Sequence, residues 1–135
     1  MADVTEAALA AQETTFARAF AAGSLALARD LYDPDVVYVS PTVRLFGWPA
    51  RIEGVERTLE FITLTIARCR DIDYAPVESV VVPGANAAYV RIRFDWTTED
   101  GRRLRSDYVV RYAYRAGRIV EQTLWYDPSA ALPEV

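Results

Sequence analysis

Histidine and lysine are both absent from this chain of 135 residues, and cysteine occurs once, as Cys69. Without histidine there is no Ser-His-Asp or Cys-His nucleophile system, no imidazole base and no metal site built on imidazole ligands. Without lysine there is no side-chain amine for Schiff-base chemistry. A lone cysteine forms neither an intrachain disulfide nor a cluster for zinc or iron–sulfur, which fits a reducing compartment and sets the cytoplasm as the expected location. No apolar run approaches the ~18 residues of a membrane span. The stretch from Met1 to Glu6 is acidic where a signal peptide is basic. All 15 basic residues are arginines, scattered along the chain among 19 acidic ones, for a net charge of −4. That balance makes nucleic acid an unexpected partner, and the lack of a long apolar run makes a membrane an unexpected one. Any chemistry here falls to carboxylates, tyrosines, arginines and hydroxyls, with no metal and no cofactor expected.

What is present reads as one domain over residues 1–135, since 52% hydrophobic and 25% charged residues suit a packed core. Asp3 and Glu6 are spaced as a capping box ahead of Leu9, Gln12, Phe16 and Phe20, which recur at helical intervals up to Gly23. Ser24 is placed to cap a short second helix through Leu31, ended by the Asp33-Pro34-Asp35 turn. A strand is expected at Val36–Ser40, an apolar loop from Pro41 to Glu53 folded over a cavity, and a third helix from Gly54 to Cys69. The period then changes to two. Four strands are predicted over residues 72–82, 87–98, 104–114 and 118–126, joined at Pro83-Gly84, Asp100-Gly101 and Ala116-Gly117. Three hairpin links in a row make an antiparallel meander, and helices segregated ahead of it make an α+β fold.

This element order, with Ala22-Gly23-Ser24, Leu31-Tyr32-Asp33-Pro34-Asp35-Val36, Ile52-Glu53-Gly54 and Arg115-Ala116-Gly117-Arg118-Ile119-Val120 at its joints, resembles the nuclear transport factor 2-like superfamily and its SnoaL-like members. The resemblance spans nearly the whole chain. It implies a cystatin-like α+β cone with three N-terminal helices packed on a strongly bent antiparallel sheet, and commonly a homodimer through the sheet face. The fold carries isomerases, dehydratases, hydrolases, polyketide cyclases and non-catalytic binding modules alike. The catalytic Tyr and two Asp of ketosteroid isomerases correspond to Phe16, Ser40 and Val110, none of which does that work. Limonene-epoxide-hydrolase-like proteins are matched in part, by Tyr38 and Ser40 and by Arg93-Phe94-Asp95. Their water-activating Asp falls on Leu124.

Along the second long strand Arg91, Arg93 and Asp95 share one face, and Ile92, Phe94 and Trp96 the other. Composition puts the apolar face in the core. The resemblance puts the polar face inside the cone and the apolar one against a partner subunit. On the latter reading Asp95 is the acid/base, Arg93 its electrostatic partner and Tyr38 a donor to a developing oxyanion, while the bland alternative is a surface ion pair. Ser40, Phe16, Phe20, Trp48, Phe61, Tyr108, Tyr112, Gln122, Leu124 and Tyr126 are the candidate substrate-binding residues, although alternating aromatics are also what an ordinary core contains. Leu45 and Phe46 are expected to help close the cavity. Cys69 reads as structural, Arg102, Arg103 and Arg105 as solvated, and Asp127-Pro128 as the end of the last strand. The expected function is that of a SnoaL-like, cofactor-independent enzyme using acid/base catalysis on a small hydrophobic oxygenated molecule, of cyclase, isomerase, dehydratase or hydrolase type. The alternative is a non-catalytic ligand-binding or assembly module.

Overall fold

The computed structural model describes residues 3–128 and 132–135. Helix α1 runs Glu6–Ala22 and a 3-10 helix Leu25–Leu31; then follow β1 (Tyr32–Val39), the one-turn α2 (Val43–Phe46), β2 (Arg51–Glu53) and α3 (Val55–Ile66). The chain then turns to strands: β3 (Arg70–Val82), β4 (Ala87–Thr97), β5 (Arg103–Arg105), β6 (Tyr108–Arg115) and β7 (Arg118–Trp125). The α+β class stands as expected, and several local readings change.

The N-cap of α1 is Thr5, two residues beyond the expected Asp3, and its hydroxyl accepts from the Ala8 backbone N–H at 3.1 Å. The helix ends where Gly23 enters the left-handed region at φ 69°, so that the Ser24 N–H reaches the Ala19 carbonyl at 3.0 Å. Ser24 caps the next helix as expected.

β1 starts at Tyr32, earlier than Val36, because Pro34 interrupts the pairing without ending the extended chain. The register with β7 shifts between Tyr32 and Val37. Within that break the Asp33 carboxylate accepts from the Asp35 N–H at 2.9 Å and is gripped by Arg115 at 2.8 Å. The segment from Pro41 to Glu53 is not wholly loop, since it holds α2 and also β2, which pairs with β1. The third long β segment splits into β5 and β6 around Ser106-Asp107. There the Ser106 N–H turns back to the Phe94 carbonyl at 2.7 Å, and the Arg105 N–H bonds the Pro133 carbonyl at 3.0 Å.

The sheet order is β2-β1-β7-β6-β4-β3, with β5 paired to β4. β3, β4, β6 and β7 form the antiparallel meander, but β1 joins β7 in parallel, so the sheet is mixed. Its concave face is covered by α1 and α3. Leu9, Phe16, Ala19 and Phe20 of α1, and Leu59, Phe61, Ile62 and Ile66 of α3, are buried against Val90, Ile92, Val110 and Tyr112. Among the described residues no helix is long and apolar enough to cross a membrane.

Candidate functional site

One end of the cone stays open between α3, α2 and the sheet, leaving a cavity of about 310 Å³. α1 contributes Phe20 to it, α3 contributes Ile62, Thr65 and Ile66, and the sheet contributes Phe94, Trp96, Tyr108 and Leu124. Leu45, which is 62% exposed, and Phe46 flank the opening. Alternation explains the sheet wall. Phe94 and Trp96 lie two apart on β4 and both face the helices.

Arg93 and Asp95 therefore lie on the opposite face of β4, and neither lines the cavity. This corrects the expectation that they look into the cone. Burial of Ile92 and Phe94, with Trp96 half-buried on the same face, decides the matter, because each large apolar side chain removed from water is worth about 1.5–3 kcal/mol. Asp95 is only 5% exposed, yet its carboxylate is occupied, accepting from Arg105 Nε at 2.8 Å and Nη2 at 3.0 Å. Arg105 stands directly opposite it in the β4–β5 register. The Arg105 hydrogen bonds hold the Asp95 carboxyl below the usual carboxylate range against the opposing effect of burial. A carboxylate so stabilised is a poor base. Arg105, read from sequence as merely solvated, is thus the hydrogen-bonding partner of Asp95, while Arg93, whose Nε is buried without a hydrogen bond among the described residues, lowers the Asp95 pKa only through space. Nor does a partner subunit have to cover the apolar face, since Ile92 is fully buried in the core of this chain.

Of the candidate binding residues, Phe20, Tyr108, Leu124 and Tyr126 line the cavity, as does Tyr38. The others do not reach it. Phe16 stacks on Tyr112 with ring centres 6.1 Å apart, and Phe61 and Trp48 pack on each other at 5.0 Å under the Arg57 guanidinium. Gln122 is engaged in the core, its Oε1 accepting from the Tyr32 hydroxyl at 2.6 Å. The Ser40 hydroxyl donates to Thr42 Oγ1 at 3.0 Å, and Thr42 in turn is hydrogen-bonded to the Tyr126 hydroxyl, forming a chain beside the cavity.

The polar groups on the cavity wall are hydroxyls for the most part. Burial raises the pKa of the Tyr38 and Tyr108 phenols, and it pushes Tyr126 up to about 12. All three remain protonated donors at neutral pH. Tyr108 has no hydrogen-bond partner among the described residues. The Trp96 indole N–H donates to Ser106 Oγ at 3.0 Å. Cys69 also lines the cavity, and burial pushes its thiol up to about 11.

Two charged residues border the cavity among those described: Arg68, just past α3, and Asp127, just past β7. Sequence reasoning missed both. Period-2 alternation from Leu124 and Tyr126 would send Asp127 to the other face, but β7 ends at Trp125 and the rule lapses there. Glu13 was also missed, and here a signal existed: it sits between Leu9 and Phe16 at the centre of the α1 apolar stripe. It is 3% exposed and belongs to the closed core rather than to the cavity. Among the described residues no cluster of His, Cys, Asp and Glu is arranged to hold a metal ion.

The SnoaL-like domain model matches residues 14–122, most of the chain. The chain belongs to the SnoaL-like family. Three solved structures illustrate the likeness. A nuclear transport factor 2-like protein of unknown function from Burkholderia pseudomallei is 20% identical, covering 89% of this chain and 91% of its own, with a TM-score of 0.74. A protein with a ketosteroid isomerase-like fold from Catenulispora acidiphila, solved with trimethylamine, is 15% identical over 93% of this chain and 89% of its own, with a TM-score of 0.72. AusH from Aspergillus nidulans is 17% identical over 93% of this chain and 88% of its own, with a TM-score of 0.74. At such identities these likenesses show the fold alone. No curated protein matches the sequence.

Proposed function

We propose that this SnoaL-like chain is an enzyme that takes a small hydrophobic oxygenated molecule into the cavity and moves a proton on it without a cofactor. The observation that carries the reading is the meeting of protonated tyrosine hydroxyls and a single carboxylate, Asp127, around a largely apolar cavity that Arg68 also borders, among the described residues. Asp127 replaces Asp95 as the acid/base. In the reaction Asp127 takes a proton from carbon next to a carbonyl, and Tyr38 and Tyr108 donate hydrogen bonds to the oxygen on which charge develops. Their raised pKa values keep both phenols neutral, so they donate without giving up the proton. Cyclisation, isomerisation and dehydration all use such a step. Leu124, on the cavity wall at the position that the resemblance gives to a hydrolase's water-activating Asp, speaks against epoxide opening.

A non-catalytic binding module is the second reading, favoured by the position of Asp95 outside the cavity. 5-Nitrobenzisoxazole separates the two, because a base that removes its ring proton opens it to a coloured phenolate whatever the natural substrate. Saturable turnover that Asp127→Asn abolishes and Asp95→Asn spares supports the enzyme. Absence of turnover above buffer at saturating probe supports the binding module.

A homodimer through the outer sheet face belongs to the same proposal, on grounds different from those expected. Trp125 is 50% exposed there and stacks on exposed Tyr89 with ring centres 6.4 Å apart, with exposed Val80 directly across from Tyr89 on β3. Exposed aromatics grouped in this way mark interaction surfaces. The lone cysteine agrees with a cytoplasmic location.

A further inference from the structure

We propose that the cavity selects anionic ligands: an apolar, ring-containing body inside and a carboxylate or like anion at the mouth, held by Arg68. The inference rests on the cavity as the ligand site and does not need it to be catalytic. Arg68 is the cavity's one basic residue among those described. Its guanidinium lies over the Phe46 ring, 5.1 Å from the centre, and Phe46 lines the same opening. Stacking uses the face of the guanidinium and leaves its N–H edge for a planar acceptor.

That edge has no partner among the described residues. Arg29, Arg105 and Arg115 each grip a carboxylate, whereas Arg68 makes no ion pair among the described residues. The rest of the wall is chiefly apolar, with Phe20, Ile62, Ile66, Phe94 and Leu124, and its tyrosine hydroxyls donate to a ligand oxygen without supplying a countercharge. A ligand charged along its length would be desolvated at a cost of several kcal/mol. An amphipathic anion leaves its charge at the mouth and buries only its rings.

The test is calorimetric titration of the full chain with three probes of one shape: 2-naphthoate, 2-naphthamide and 2-naphthylmethylammonium. Wild type is expected to bind the carboxylate about fivefold tighter than the amide, in keeping with one partly exposed ion pair. Arg68→Gln is expected to erase that preference while leaving amide affinity in place, which also shows that the variant is folded. Arg68→Lys is expected to restore part of it. A preference unchanged by Arg68→Gln, tighter binding of the ammonium, or no binding of any probe would overturn the inference. Benzisoxazole turnover is scored separately. Asp127-dependent turnover without charge preference sinks only the ligand class, and charge preference without turnover sinks only the catalytic reading.

Discussion

Tyr74 and Glu13 meet in the closed half of the cone, where the phenol of β3 donates to Glu13 Oε1 on α1 at 2.6 Å. Glu13 Oε2 accepts from the Tyr112 hydroxyl at 3.0 Å and from Gln12 Nε2 at 3.1 Å, and Gln12 Oε1 accepts from the Tyr114 hydroxyl at 2.7 Å. One buried acid thus ties the long helix to two strands. Burial raises its pKa above 4.5, and the three hydrogen bonds work against that rise.

The sign of the linkage follows from that direction. Between the unfolded pKa near 4.5 and the raised folded value, the native chain binds more protons than the unfolded one. The contribution of Glu13 is therefore fully present below 4.5 and is lost as pH rises through the folded pKa. Chemical denaturation across pH is expected to show this decline in wild type and its absence in Glu13→Gln. Glu13→Ala, which strands the tyrosine hydroxyls and leaves a void, is expected to cost about 2–4 kcal/mol at every pH.

Thr58 on α3 is fully buried and its hydroxyl has no hydrogen-bond partner among the described residues. Valine has nearly the same shape without the polar atom. Thr58→Val is expected to raise unfolding stability by about 1 kcal/mol, measured from the urea midpoint at unchanged slope.

Cys69 is expected to be a sluggish nucleophile although it borders the cavity. With a thiol pushed up to about 11, little thiolate exists at neutral pH. Its alkylation by iodoacetamide is expected to accelerate roughly tenfold per pH unit up to that value, and to slow when 2-naphthoate occupies the cavity.

Trp125→Glu tests the outer face. The expected outcome is a shift from dimer to monomer in sedimentation with unfolding stability little altered, since Trp125 lies half exposed on this chain alone. A wild type that sediments as a monomer at high concentration removes the dimer.

Tyr108→Phe and Tyr38→Phe remove the donors assigned to the developing oxyanion. Each is expected to lower kcat on a carbonyl substrate by about 10²-fold while changing KM little, because the hydrogen bonds strengthen only as charge develops. A rise in KM alone would assign these tyrosines to binding instead.

Much of the architecture is legible in the amino-acid order. The apolar stripes of α1 and α3, the turn residues at Gly84, Gly101 and Gly117, and the period-2 runs of β4, β6 and β7 are local signals, and each appears where the local rule puts it. Joints were harder to read where a distant partner sets them. β2 is three residues long and exists because β1 offers it an edge, and β1 joins β7 in parallel, a pairing between segments some 80 residues apart that no local pattern encodes.

The site divides in the same way. Sequence by itself determined the chemical repertoire: no imidazole, no amine, one thiol, many phenols and arginines. It also carried the binary pattern of β4, with Phe94 and Trp96 on one face and Arg93 and Asp95 on the other. Which face looks inward was decided by the tertiary structure, because the sign of a strand's orientation is set by the layer it packs against and not by its own alternation. Pairing of charges followed: Asp95 found Arg105 across a strand register, not Arg93 two residues away. Asp127 and Arg68 reached the cavity mouth from element ends, where periodicity stops and only the closing of the sheet around α3 brings them to one opening.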